Sequence, residues 1–277
     1  MRFCNAFFTH MKPERLARRW ERRQADLLAV LRTQVRAARG QGEAEAVHQL
    51  RVTLRRLRLS LRLAKPVLAE ERANRFRAWA ARISRATSRV RDLDIAVDWL
   101  RGGNASAALV ADCEARRARV WRRCRRNLTP PPPGLLLKLA RLSGGRRTDM
   151  AIEKRLRKLE SRDAEQLRRQ VPQFFELSEE DRHEFRRTVR WWRYLRELTL
   201  PRRRLKKDST WKCLLAAQEV LGEMQNLALV QADLEELPPS TELTELKSML
   251  VRQQKVQAET ARQSLTGLKN ALKRAVK

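Results

Sequence analysis

The stretch His48-Gln-Leu-Arg51-Val-Thr-Leu-Arg55-Arg56-Leu-Arg58 returns in the second half of the chain as His183-Glu-Phe-Arg186-Arg-Thr-Val-Arg190-Trp-Trp-Arg193. Both copies fit H-x2-R-x3-R-x2-R. At about 100° per residue, the four positions fall within a helical sector roughly 80° wide. Each copy therefore lines one imidazole and three guanidinium groups along a single stripe. Like charges at that spacing repel one another, so the register makes sense where an anion neutralises it. A solvated helix face accounts for any isolated arginine but does not specify a repeated register. Leu50, Leu54, Leu57, Leu61 and Leu68 lie about 180–240° around the same wheel from the histidine, and Phe185, Val189 and Trp192 match them. The apolar face thus adjoins the stripe, which predicts guanidinium groups at the edge of a bundle, with packed stems and wet heads.

Composition points the same way. The 277 residues carry 62 Lys and Arg against 32 Asp and Glu, a formal net charge of +30, so carboxylates cannot pair all the cations. Such a surplus is self-repulsive and signals nucleic acid, an anionic membrane surface or another polyanion. Most of it is arginine, whose planar fork grips phosphate oxygens bidentately. Apolar residues reach 42%, too many for a disordered chain and enough for a real core. No run approaches about 18 apolar residues, so no membrane insertion is expected. The opening Met1-Arg-Phe-Cys-Asn-Ala-Phe-Phe is too short for a secretory signal, and the expected location is cytoplasmic. Cys4, Cys113, Cys124 and Cys213 lack zinc spacing; Cys113 and Cys124 share a helix face and read as small core residues.

The pattern predicts an all-α protein. Glycine is rare, and no alternating β-branched run suggests a strand. Helices are expected near 12–39, 44–65, 70–101, 104–127, 149–170, 178–199, 208–236 and 241–275, with a shorter piece over Leu135 to Leu142. Gly40-Gln-Gly42, Lys65-Pro66, Gly102-Gly103 and Pro238-Pro239 mark breaks, and Ser178-Glu-Glu-Asp181 resembles a capping box with Asp in place of Glu. The strongest break, Pro130-Pro-Pro-Pro133-Gly134 followed by Gly144-Gly145, divides the chain into halves. The expected organisation is an N-terminal extension over 1–9 and one domain over 10–277, made of two helical repeats at about 10–129 and 146–277. A second correspondence supports the repeats. Val90-Arg91-Asp92-Leu93-Asp94-Ile95 aligns with Met224-Gln225-Asn226-Leu227-Ala228-Leu229, 44 residues after His48 and 43 after His183 respectively. An internally duplicated bundle of long antiparallel helices with pseudo-two-fold symmetry would merge the two stripes into one basic groove.

The candidate residues admit more than one role. The histidines read as packing residues at a helix start, as phosphate hydrogen-bond donors in a first helical turn, or as metal ligands, although no ligand-spaced partner follows. Asp92 and Asp94 suit an acid or metal site, or the orientation of Arg and His within the groove. The second role is favoured because Asn226 and Ala228 replace them in the other half. Trp191 and Tyr194 either rim the groove or pack beside it.

Val47 through Arg58, with Val90-Arg-Asp-Leu-Asp94, closely resembles the first-half signature of the CHAD family, the conserved histidine α-helical domain. His183 through Tyr194, with Leu221-Gly-Glu-Met-Gln-Asn-Leu227, is similar to its second-half signature, and the resemblance spans roughly residues 10–275. It implies a duplicated all-α bundle with a basic central surface that binds inorganic polyphosphate without catalysis, often at polyphosphate granules. Carried over by position, the implied ligands are His48, Arg51, Arg55, Arg56, Arg58, His183, Arg186, Arg190 and Arg193, with Arg62, Arg89 and Arg91 flanking them. Trp191 and Trp192 depart from the family's second-half pattern. Many relatives carry a fused triphosphatase domain marked by E-x-E-x-K; here Glu43-Ala-Glu45-Ala-Val47 lacks the lysine. No G-x4-GK[ST] loop, Ser-His-Asp set or clustered carboxylates occur, so the expectation is binding without catalysis, cofactor or metal. Nucleic acid is the competing partner, disfavoured by a single tyrosine and no stacking platform. An intrinsic phosphatase ranks third, and no feature specifies an oligomer.

Overall fold

A computed structural model describes residues 14–40, 42–132, 134–136 and 146–275, and every regular element among them is helical. The first half comprises α1 (Glu14–Arg39), α2 (Ala44–Leu63), α3 (Glu70–Ala86), α4 (Ser88–Gly102) and α5 (Ala107–Asn127). The second comprises α6 (Arg146–Gln170), a 3-10 turn (Val171–Glu176), α7 (Glu179–Thr199), the short α8 (Arg202–Lys207), α9 (Ser209–Glu235) and α10 (Thr241–Ala275). The expected N-terminal extension lies outside the described residues, as does most of the expected Leu135–Leu142 piece; Leu135 and Leu136 are helical and buried.

Helix contacts follow the sequence correspondence. The pairs α1 with α2, α2 with α4 and α4 with α5 recur as α6 with α7, α7 with α9 and α9 with α10. Counterparts also meet: α1 packs on α6, α2 on α7 and α4 on α9. The packing order of one half thus corresponds to that of the other. α3 breaks the correspondence, since its place between α7 and α9 is taken only by the six-residue α8 and its short flanks. One apolar cluster joins α1, α2, α3 and α5 around Leu31, Leu54 and Phe76. A second joins α6, α7, α9 and α10 around Phe185, Val189 and Leu268, and takes Leu59 and Leu63 from α2. A third knits α4 and α5 to α9 and α10. α2 therefore feeds two cores at once, which fixes it at the centre of the molecule.

Local chemistry sets the boundaries. Ser178 caps α7 by accepting from the Asp181 amide at 3.1 Å while its hydroxyl donates to the Asp181 carboxylate, as the modified capping box implied. Asp208 caps α9 through the Trp211 amide at 2.9 Å. α5 starts later than expected because Ser106 caps it, with its own amide bound to Glu242. The expected single helix over 70–101 is two helices meeting at Thr87. The Thr87 hydroxyl donates back to the Ile83 carbonyl at 2.9 Å, and the Arg51 guanidinium takes the Ser84 carbonyl at 2.7 Å. Side-chain back-bonding competes with the helical ladder. Cys113 and Cys124 are buried in α5, and burial pushes the Cys113 thiol up to about 11.

Between α1 and α2, Gly42 adopts φ +69° directly against Trp121. A Cβ there would lie 1.8 Å from Trp121 Nε1, and Arg117 Nη2 donates to the Gly42 carbonyl. Gly42→Ala combines left-handed backbone strain with overpacking and is expected to lower stability by about 2–5 kcal/mol in urea denaturation. Gly134 has a similar φ of +70° but open space around it, so Gly134→Ala should lose only the backbone part, about 1–2 kcal/mol.

Candidate functional site

α2 and α7 cross at the centre, and each carries its histidine as the fifth helical residue. Neither histidine therefore sits in the first turn, where free amides would reinforce an anion, so the expected aid from the helix N-terminus is corrected. His48 is half-buried and His183 exposed.

The two stripes meet. Burial lowers the Arg186 guanidinium to about 10, with Arg55 from the other half adding to the effect. Burial likewise pushes Arg190 down to about 9, reinforced by Arg55 and Arg186 and opposed by the Tyr194 phenol. Arg55 is lowered by burial and, among its neighbours, by Arg91 and Arg193. Among the described residues, Arg55, Arg186 and Arg190 have no carboxylate within salt-bridge distance, and the buried Nε of Arg186 has no hydrogen-bond acceptor. The expected position at an open, wet bundle edge is thus corrected. The stripe of α2 rises between two cores, with Leu54 and Leu57 on one side and Leu59 and Leu63 on the other, and its guanidinium heads are partly desolvated.

Arg51 is anchored where helix α3 breaks, donating to Ser84 O at 2.7 Å and to Thr87 Oγ1 at 3.0 Å. Arg55 Nε donates to Arg51 O at 3.2 Å, which chains the two side chains together. Arg91 on α4 completes this side, since it acts on His48, Arg51 and Arg55. Burial lowers both histidines, His48 with help from Arg91 and His183 with help from Arg186 and Arg190. The seam thus gathers His48, Arg51, Arg55, Arg91, His183, Arg186 and Arg190. Asp92 lies close enough to Arg51 and Arg89 for both to counter the burial that raises its carboxyl.

Other sequence candidates make different contacts. Arg56 and Arg193 share Glu197, at 3.3 and 3.5 Å, while both also lie near enough to Arg55 to lower its pKa, and Arg193 acts on Arg190 as well. Arg89 leaves the seam for Asp233 at 2.7 Å and Glu236 at 3.1 Å, a pair of carboxylates it shares with Arg116. Arg58 and Arg62 open onto a cavity of about 290 Å³, together with Lys65, Arg77, Arg155 and Trp191. Lys65, Arg77 and Arg155 fall outside both motifs, and no spacing in the sequence singles them out. The Arg62 guanidinium stacks on Trp191 at 4.4 Å, and that of Arg193 stacks on the buried Tyr194 at 4.5 Å. Trp191 thus rims this side cavity rather than the seam, whereas Tyr194 and Trp192 are buried. Asp94 does orient an arginine, but it is Arg117, at 2.6 Å, behind the α1–α2 turn rather than in the groove. Among the described residues, no group of three His, Cys, Asp or Glu is placed to hold a metal ion.

Packing like charges together costs stability that a neutral side chain would restore. Arg190→Met is expected to raise the melting temperature of the ligand-free protein by roughly 2–4 °C in low salt. Differential scanning calorimetry checks this; a lower melting temperature would show that Arg190 is satisfied in the fold.

Comparison with known proteins follows this geometry. The CHAD-domain family model matches residues 22–235, a span that includes both motif helices together with α4 and α9. The crystal structure of the CHAD domain from the plant Ricinus communis is similar over 95% of this chain and 93% of that one, with a TM-score of 0.65 and 19% identity. At that identity the likeness concerns the fold. A search of curated proteins found no match.

Proposed function

The chain belongs to the CHAD-domain family, and on that premise we propose that it binds inorganic polyphosphate, without catalysis, in the cationic seam between α2 and α7. One observation carries the reading: Arg55, Arg186 and Arg190 converge from the two halves with no carboxylate among them. A linear chain of phosphates supplies the missing negative charge along the whole seam. Arg51 and Arg91 meet it from one side and Arg186 and Arg190 from the other, while His48 and His183 donate at the ends. Binding needs only charge-assisted hydrogen bonds, which are strongest where guanidinium groups are already desolvated.

Nucleic acid would meet the same arginines but brings bases that need surfaces of their own. Here Trp191 lies under Arg62, and Tyr194 is buried under Arg56 and Arg193. These rings stack on guanidinium groups, which favours the polymer without bases. Among the described residues no helix is long and apolar enough to cross a membrane. We place the protein in the cytoplasm, at polyphosphate granules where these form.

Replacing Arg51, Arg55, Arg186 and Arg190 together by Gln is expected to weaken binding of long-chain polyphosphate a hundredfold or more with helicity unchanged. Isothermal titration of the parent across ionic strengths should give a slope of log K on log salt of about −3 or steeper, and the variant a much shallower one. Duplex DNA or RNA that displaced polyphosphate at equal charge concentration, and bound more tightly, would overturn the assignment.

The histidines add a pH dependence of fixed sign. Their pKa values are lowered in the ligand-free fold, so the unfolded chain holds more protons. Stability of the free protein should therefore decline as pH falls below about 6.5, the ordinary histidine value. A bound polyanion favours the imidazolium form, so binding takes up protons and affinity rises as pH drops from 7.5 to 6. Titration in buffers of different ionisation enthalpy measures that uptake; proton release instead would exclude the histidines from the site.

A further inference from the structure

A second cavity, of about 550 Å³, lies between α1, α2 and the C-terminal end of α7. It is distinct from the seam, because Arg55 and Arg56 are consecutive and leave α2 about 100° apart. Five arginines line it: Arg19, Arg22, Arg23, Arg56 and Arg202. Two carboxylates accompany them, Asp26 and Glu197. Glu197 is committed to Arg56 and Arg193 and accepts from Trp211 Nε1 at 3.3 Å. Arg19 and Arg23 are committed to the end of α7, donating to the Thr199 and Leu200 carbonyls. Arg22 and Arg202 are exposed at the cavity and have no ion-pair partner among the described residues. The remaining wall is formed by Leu27, Leu59, Leu198 and Pro201 with the ring of Tyr194, whose phenol lies toward Arg190 of the seam.

A bare inorganic polyanion gains nothing from an apolar wall. A cavity of this size, lined by apolar side chains together with convergent charges, suits a small organic ligand. We propose that this cavity is a binding site for an organic phosphate of nucleoside triphosphate size, independent of the polyphosphate seam. Arg22 from α1 and Arg202 from α8 take the phosphates, joined by Arg56, which Glu197 holds in place. The organic body lies against Leu27, Leu59 and Leu198. Binding is non-covalent and leaves the ligand unchanged.

The test is calorimetric titration of the full chain with ATP, adenosine and tripolyphosphate. ATP should bind, and Arg22→Gln with Arg202→Gln should weaken it tenfold or more, each single variant giving part of that loss. Arg186→Gln with Arg190→Gln should leave ATP affinity within twofold, and adenosine should give no measurable heat. The cavity variant should still bind long-chain polyphosphate as the parent does, so failure at one site is distinguishable from failure at the other. Three results would each overturn the proposal. One is no ATP binding by the parent. Another is ATP binding lost in the seam variant and kept in the cavity variant. The third is tripolyphosphate matching ATP in the seam variant, which would mean that the apolar wall contributes nothing.

Discussion

Guanidinium groups that face one another with no carboxylate between them are costly to hold, and the rest of this structure can be understood as what holds them. Arg55 stands against Arg186 and Arg190 across the crossing of α2 and α7. Their mutual repulsion would drive the helices apart if the crossing were a peripheral contact. Instead α2 is gripped on two sides, by Leu50, Leu54 and Leu57 in one core and by Leu59 and Leu63 in another. Burying a leucine side chain contributes about 1.5–3 kcal/mol. Several of them on one helix outweigh the few kcal/mol at stake between partly solvated cations.

The chain also sorts its arginines. Those that would burden the seam without serving it are drawn off by carboxylates: Arg56 and Arg193 to Glu197, Arg89 and Arg116 to Asp233 and Glu236, and Arg196 to Asp208. These acids are placed away from Arg55, Arg186 and Arg190, which keep no carboxylate within salt-bridge distance among the described residues. Net charge alone would not give this result, because the same number of cations spread evenly would make a sticky surface without a site.

Much of this was legible beforehand. The three-and-four spacing of His48, Arg51 and Arg55 with its adjoining leucines defines a helix, its buried face and its stripe, and the second copy places an equivalent stripe in the other half. The kept spacing from His48 to Asp92 and from His183 to Asn226 marks α4 and α9 as counterparts, and these two helices pack on each other. What escaped the sequence depended on tertiary partners. Thr87 ends α3 because Arg51 arrives from another helix to take the Ser84 carbonyl, and no local pattern announces that. Arg56 reads as a site cation by its position in the motif and Arg89 by proximity to it, yet Glu197 and Asp233, both far away in sequence, pair with them. Arg77 and Arg155 could not be singled out in a chain so rich in arginine, where only the fold shows which ones converge.

The anchoring of Arg51 makes the two sides of the seam mechanically unlike. Its fork is fixed by Ser84 and Thr87, and Arg55 is tied to its carbonyl, so this side is already set before any ligand arrives and loses little freedom on contact. Arg186 and Arg190 have no such tether among the described residues. One jaw is stiff and the other compliant. On the proposed function, a polymer that twists from one segment to the next would be held in register by the first jaw, while the second would adapt to the torsion it presents.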